Sequence, residues 1–201
     1  LVHISFLIIT SIVNGLGLVA SAGIGISEKL FVFLSIAPSA FMSALSAFVA
    51  QNMGAGNPQR ALRAMYVAQA ISFACGILTF SLTFFAGDFL ASLFDGDPAV
   101  IQATAQYMRG SGFEYLMIPL SFCFLGYFNG RERTAFVMIQ GLASAFLVRI
   151  PLSYYLSRLP DAGMFTISLA VPAAGLLSLA MCLDYFLHTR RRALLPGKKL
   201  Y

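Results

Sequence analysis

Six long apolar stretches follow one another along the chain, with short polar segments between them. A helix needs about 20 mainly apolar residues to cross the hydrocarbon core of a bilayer, and each stretch meets that length. The pattern therefore predicts an all-α polytopic membrane protein, a single bundle of six transmembrane helices over 1–201. The predicted helices cover about 1–20, 31–53, 65–86, 107–128, 134–156 and 164–187, followed by a basic cytoplasmic tail at 188–201.

The composition excludes a soluble domain. Hydrophobic residues make up 59% of the chain and charged residues only 10%, against roughly 25% in soluble domains. The three cysteines, Cys75, Cys123 and Cys182, are widely spaced and lie in apolar runs, so neither a disulfide framework nor a metal site is predicted. No catalytic motif surrounds His3 or His188, and we expect neither an enzyme nor a bound cofactor.

Lysine and arginine are distributed unevenly between the two alternating sets of predicted loops. Nine lie in one set and two in the other, and cytoplasmic loops carry the excess in membrane proteins. We therefore expect both chain ends to be cytoplasmic, in an integral protein of the plasma (inner) membrane. The net charge of +5 follows from these flanking positions, so no nucleic-acid partner is expected. The nine are Arg60, Arg63, Arg131, Arg133, Arg190, Arg191, Arg192, Lys198 and Lys199, and the two are Lys29 and Arg158.

Two charged residues lie at membrane depth in consecutive helices. Glu114 is about 10 Å along the helix from the outer end of the fourth predicted helix, and Arg149 is at a similar depth in the fifth. A charge in hydrocarbon costs about 2.5–3.5 kcal/mol, so these residues require an explanation. They either form a structural ion pair, or provide a carboxylate that binds a proton, a sodium ion or a cationic substrate, or extend to the interface.

Small and polar residues recur at every fourth position of the second predicted helix. They either allow close helix packing or line a water-filled cavity. Asn14 in the first helix also needs a polar partner. The recurring residues are Ser35, Ser39, Ser43, Ala47 and Gln51.

Prolines interrupt three of the predicted helices. Pro38, Pro119 and Pro151 each lack the N–H that would bond the carbonyl four residues earlier. We expect a kink near each of them.

Four stretches of sequence resemble one transporter family. Residues 48–61, FVAQNMGAGNPQRA, are similar to the segment that closes the second helix of each lobe in the multidrug and toxic compound extrusion (MATE) family. The stretches LFDGDPAVI at 93–101 with YMR at 107–109, GYFNGRERT at 126–134, and VRIPL at 148–152 resemble the same family in order and spacing.

The resemblance implies one lobe of a twelve-helix transporter built from two six-helix lobes. The chain would be the C-terminal half of a secondary active antiporter that exports cationic amphipathic compounds in exchange for H⁺ or Na⁺. Its partners would be the lipid bilayer, small cationic substrates, and the missing N-terminal six-helix lobe or a second copy. The ion-coupling candidates are Glu114 and Arg149, and the cleft-lining candidates are Asn14, Ser39, Ser43 and Gln51.

Two other interpretations remain open at this stage. One is half of a lipid-linked oligosaccharide flippase of the same superfamily, although its cavity should hold more Arg and Lys for a pyrophosphate. The other is a truncated, non-transporting remnant. The chain begins inside an apolar run without a starting Met, which indicates a piece of a longer protein.

Overall fold

A computed structural model describes residues 17–159 and 163–193, and this part of the chain is almost entirely helical. Asn14, most of the first predicted helix and the end of the basic tail lie outside the described residues. The helices are α1 Leu18–Leu34, α2 Ile36–Gly54, α3 Pro58–Phe85, α4 Gly87–Ser92, α5 Pro98–Ser111, a 3₁₀ segment Gly112–Leu116, α6 Ile118–Gly130, α7 Thr134–Ala143, a π segment Ser144–Arg149, α8 Ile150–Ser157, α9 Met164–Ser168 and α10 Ala170–Ala193.

Within the described residues, four helical stretches are long and apolar enough to cross a membrane. They are Leu18–Gly54, Pro58–Phe85, Thr134–Ser157 and Met164–Arg191. The predicted class, an all-α polytopic membrane protein, is confirmed. The interrupted stretch from α5 to α6 lies between α2, α3 and α10, and most of α6 is buried.

The prediction of a loop between residues 20 and 31 is wrong. Helix α1 covers that segment, so Glu28 and Lys29 are helical, and with α2 it makes a stretch of 37 residues. The glycines in this segment do not end the helix, and the packing of Gly23 shows why. A Cβ at Gly23 would lie 3.1 Å from the Ala103 Cβ and the Thr104 N, so its absence allows α1 to pack closely on α5.

The long connection predicted from 87 to 106 is also largely helical. It contains α4 and the first part of α5. The Asp97 carboxylate accepts a hydrogen bond from the Ala99 N at 2.8 Å, and Pro98 occupies the first turn of α5. A capping side chain followed by proline is a strong signal for the start of a helix. It explains why α5 begins at Pro98, nine residues before the predicted start.

Each of the three prolines coincides with a break in regular α-helix. A turn at Ser35 precedes Pro38, the 3₁₀ segment and Met117 precede Pro119, and the π segment precedes Pro151. Proline removes one backbone hydrogen bond and its ring crowds the preceding turn, so the irregularity falls on the residues just before it. The predicted interruptions are confirmed.

Two glycines allow α6 to contact the backbone of α2. A Cβ at Gly126 would lie 2.6 Å from the Met42 O, and one at Gly130 would lie 2.6 Å from the Ser46 O. Their spacing of four places both on one face of α6, as in the small-residue interfaces of membrane helices. Close packing was one of two roles that the sequence left open for the face of α2 that carries Ser43 and Gln51. The packed face is instead the one with Met42 and Ser46.

Gly126→Ala is expected to destabilise the bundle by about 1–3 kcal/mol, because the new methyl group would meet the α2 backbone. Gly141→Ala is the matched control, since Gly141 is also helical but no atom lies within 4 Å of its Cβ position. The control should be neutral or stabilise by up to about 1 kcal/mol through helix propensity. Thermal unfolding of the native protein in detergent measures both, and equal effects would refute the assigned contact.

Candidate functional site

Glu114 and Arg149 form an ion pair in the interior of the bundle. The Arg149 Nη2 donates to the Glu114 Oε1 at 2.7 Å, and both side chains are at least nine-tenths buried. Of the alternatives left open by the sequence, the structure shows that the two side chains pair and do not extend to the interface. A second ion pair, Arg109 with Asp88 at 2.6 Å, is half exposed, where such pairs contribute about 0–1 kcal/mol.

Both members of the buried pair lie in irregular helix. Glu114 is in the 3₁₀ segment that precedes Pro119, and Arg149 is the last residue of the π segment that precedes Pro151. Local changes of helical pitch alter the direction of the side chains there, and π segments are frequent at functional sites. The prolines therefore position the charged groups as well as interrupting the helices.

The pair borders a cavity of about 170 Å³ between α6, α7, the π segment and α10. Within the described part of the chain, the second carboxylate oxygen of Glu114, Oε2, has no hydrogen-bond partner, and neither has the Ser121 Oγ on the same cavity. The volume is sufficient for several water molecules or a hydrated ion. A carboxylate that lines a cavity of this size and has one oxygen without a protein partner is a candidate for binding a small cation.

A hydrogen bond between two uncharged side chains lies on the opposite wall of this cavity. The Gln140 Nε2 in α7 donates to the Ser178 Oγ in α10. The sequence analysis did not identify either residue. Gln140 could have been found, because an amide in the middle of an apolar span needs a polar partner just as a charge does.

A smaller pocket of about 20 Å³ lies next to the main cavity and contains Glu28. Phe31 lines both spaces, and its ring centroid is 6.0 Å from that of Tyr115. Phe31 therefore separates the pocket that contains Glu28 from the Glu114 cavity, and Tyr115 packs against it. Sequence reasoning missed Glu28 because it was assigned to a loop.

The cleft-lining candidates within the described residues, Ser39, Ser43 and Gln51, do not line the Glu114 cavity. Ser39 is half-buried and donates to the Ser35 O at 2.8 Å, whereas Ser43 and Gln51 are exposed on α2. Apart from Ile36 at its start, the exposed residues of α2 are small or are uncharged polar residues, whereas the exposed face of α3 carries several large apolar groups such as Ile71 and Leu78.

Comparison with known proteins identifies the family of this chain. The MatE family model matches residues 1–155. The chain belongs to the MatE family. This family consists of transporters rather than enzymes, which agrees with the composition and the helical fold.

Two curated proteins are similar to this chain. It is 32% identical over 172 residues to the FAD transporter of Shewanella oneidensis, covering 85% of this chain and 37% of that protein. It is 25% identical over 168 residues to the probable multidrug resistance protein YpnP of Bacillus subtilis, covering 84% and 36%. The chain thus spans less than half the length of these relatives.

A solved structure shares the fold of this MatE chain. It is the inward-facing conformation of a multidrug resistance MATE family transporter of the MOP superfamily, with a TM-score of 0.71. The match covers 87% of this chain and 42% of that chain at 12% sequence identity. In both the sequence and the structure comparisons, this chain therefore matches only part of a longer protein.

Proposed function

We propose that this chain is the C-terminal six-helix lobe of a secondary active exporter in which Glu114 binds the coupling cation. Arg149 neutralises the carboxylate when no cation is bound. A proton or Na⁺ that binds Glu114 weakens that ion pair. Release of the bound cation is coupled to export of a cationic amphipathic compound.

The buried ion pair on a cavity is the observation that carries the proposal. In a purely structural ion pair, we expect every polar atom of both charged groups to be hydrogen-bonded, because a buried polar atom without a partner lowers stability. Here Glu114 lines the cavity, one of its oxygens accepts from Arg149, and the other has no hydrogen-bond partner among the described residues. This arrangement suits a carboxylate that exchanges a ligand.

The exposed face of α2 supports the presence of a second lobe. Ser43 and Gln51 lie on it, and no charged side chain interrupts it between Ile36 and Gly54. A face of this kind suits a cleft or a lobe interface better than contact with lipid tails. We assign the substrate site to this face, opposite the missing N-terminal lobe or a second copy, in the plasma (inner) membrane with both chain ends cytoplasmic.

Export of a flavin dinucleotide is a second candidate function, because one relative at 32% identity is named an FAD transporter. FAD is anionic, and the described part of α2 offers no basic side chain to its phosphates. The uncharged face therefore gives no counter-charge to the phosphates of FAD, and it suits the apolar part of an amphipathic compound. The flippase interpretation requires several deep basic residues, and Arg149 is already paired with Glu114.

Gradient-driven transport by the native full-length protein tests the function. In proteoliposomes, we expect a fluorescent cationic dye to move against an imposed H⁺ or Na⁺ gradient, with transport lost when an ionophore collapses that gradient. Transport of FAD in place of the dye would favour the second candidate. Transport of neither compound under either gradient would contradict a secondary active exporter.

A further inference from the structure

A separate pocket lies at the basic end of the bundle. It has a volume of about 110 Å³ and lies where α3 and α7 begin and where α6 and α10 approach their ends. Four aromatic side chains line it, called the aromatic wall, and three arginines line it as well, called the rim arginines. The lining residues used below are Tyr127, Phe128, Tyr185, Phe186 and the rim arginines Arg131, Arg133 and Arg190.

The turn after α6 places two of the rim arginines. The Arg131 N and the Arg133 N both donate to the Phe128 O, at 3.1 and 2.9 Å. Glu132 lies between them with a φ of 61°, in the left-handed region that non-glycine residues rarely adopt, and its side chain is exposed. Among the described residues that line the pocket, three are arginines and none is acidic.

The aromatic wall holds the rim in position. The Arg131 Nη1 donates to the Tyr127 hydroxyl at 3.1 Å, and its guanidinium carbon lies 5.4 Å from the centroid of that ring. Behind the wall, Phe136 stacks on Tyr185 with centroids 3.9 Å apart. An arginine held in this way loses little side-chain entropy when it binds a ligand.

We propose that this pocket binds the phosphate group of an anionic phospholipid from the leaflet at the basic end of the bundle. Guanidinium groups bind phosphate oxygens in bidentate geometry. Basic pockets between transmembrane helices at the cytoplasmic side are typical sites for anionic headgroups. The aromatic wall beneath the rim fits the acyl chain, whereas inorganic phosphate would leave that wall uncovered.

Native mass spectrometry of the purified full-length protein, titrated with phosphatidylglycerol in detergent, tests the site. Arg131→Gln/Arg190→Gln should weaken the apparent affinity about 30-fold. Arg60→Gln/Arg63→Gln is the matched control, because it removes two exposed charges near the start of α3 that do not line the pocket. The control should stay within about threefold of the parent.

Three further measurements make the outcome unambiguous. Arg131→Lys/Arg190→Lys keeps both charges but loses the bidentate geometry, so its affinity should lie between those of the parent and of the Gln variant, which separates loss of charge from misfolding. Phosphatidylcholine should bind the parent more weakly than phosphatidylglycerol. Equal losses in the pocket and control variants would overturn the proposal, and so would displacement of the lipid by inorganic phosphate. The titration requires no transport, so its failure would leave the proposed ion coupling untouched.

Discussion

Glu114→Gln is expected to abolish ion-driven efflux by the complete protein while the protein still accumulates in the membrane. Glutamine keeps the side-chain volume and an acceptor for the Arg149 guanidinium, which now donates to the Glu114 Oε1 at 2.7 Å. It removes the charge that a proton or Na⁺ would neutralise. Efflux in proteoliposomes with a defined gradient measures the effect, with the amount of protein fixed by quantitative blotting.

A second variant protects this prediction against a folding defect. Glu114→Gln/Arg149→Gln removes both charges, so neither is left buried without its counter-ion, which is the costly result of replacing one partner alone. The double variant should fold and yet show no ion-driven efflux. Normal efflux in either variant would remove Glu114 from the coupling mechanism.

Arg149→Gln alone is expected to destabilise the bundle by about 3–5 kcal/mol, because it leaves the Glu114 carboxylate buried without its counter-ion. Combined with Glu114→Gln in a double-mutant cycle, the two substitutions should cost less than the sum of their separate effects. A coupling free energy of about 0.5–3 kcal/mol is typical of residues in direct contact. Denaturant unfolding in detergent gives the free energy of unfolding of the parent, the two single variants and the double variant.

The exposed ion pair provides a control for that cycle. Asp88→Asn and Arg109→Gln break a pair of similar length, 2.6 Å, at a half-exposed position. Each should change the stability by no more than about 1 kcal/mol. If the Glu114 and Arg149 substitutions proved additive, the contact between them would contribute no measurable stability.

The sequence predicted the buried pair because helical geometry is regular. A fixed rise per residue and antiparallel neighbouring helices were enough to place Glu114 and Arg149 at similar depth. The three prolines likewise marked the breaks in the helices, since the missing N–H acts on the turn just before it. Both inferences depend on local covalent structure, so they needed no knowledge of the tertiary packing.

Features that depend on helix rotation could not be predicted in the same way. The hydrogen bond between Gln140 and Ser178 depends on which faces of α7 and α10 meet. The exposure of Ser43 and Gln51 depends on α6 packing against the other face of α2 through its glycines. The helicity of residues 21–30 likewise depends on α5, because Gly23 is stabilised in a helix by its close neighbour rather than by its own propensity.

The depth of Glu114 has an electrical consequence. Sixteen residues of mainly α-helical chain separate it from Gly130, at the basic end of α6, which is about 25 Å of a hydrocarbon core roughly 30 Å thick. Most of the membrane voltage therefore falls between Glu114 and the basic side. Under the proposed ion coupling, a cation that reaches Glu114 from the opposite side would cross little of that voltage, whereas its release toward the basic side would move charge through most of it. At roughly 2.3 kcal/mol per charge per 100 mV for the full membrane, that release step would carry most of the voltage dependence of the proposed cycle.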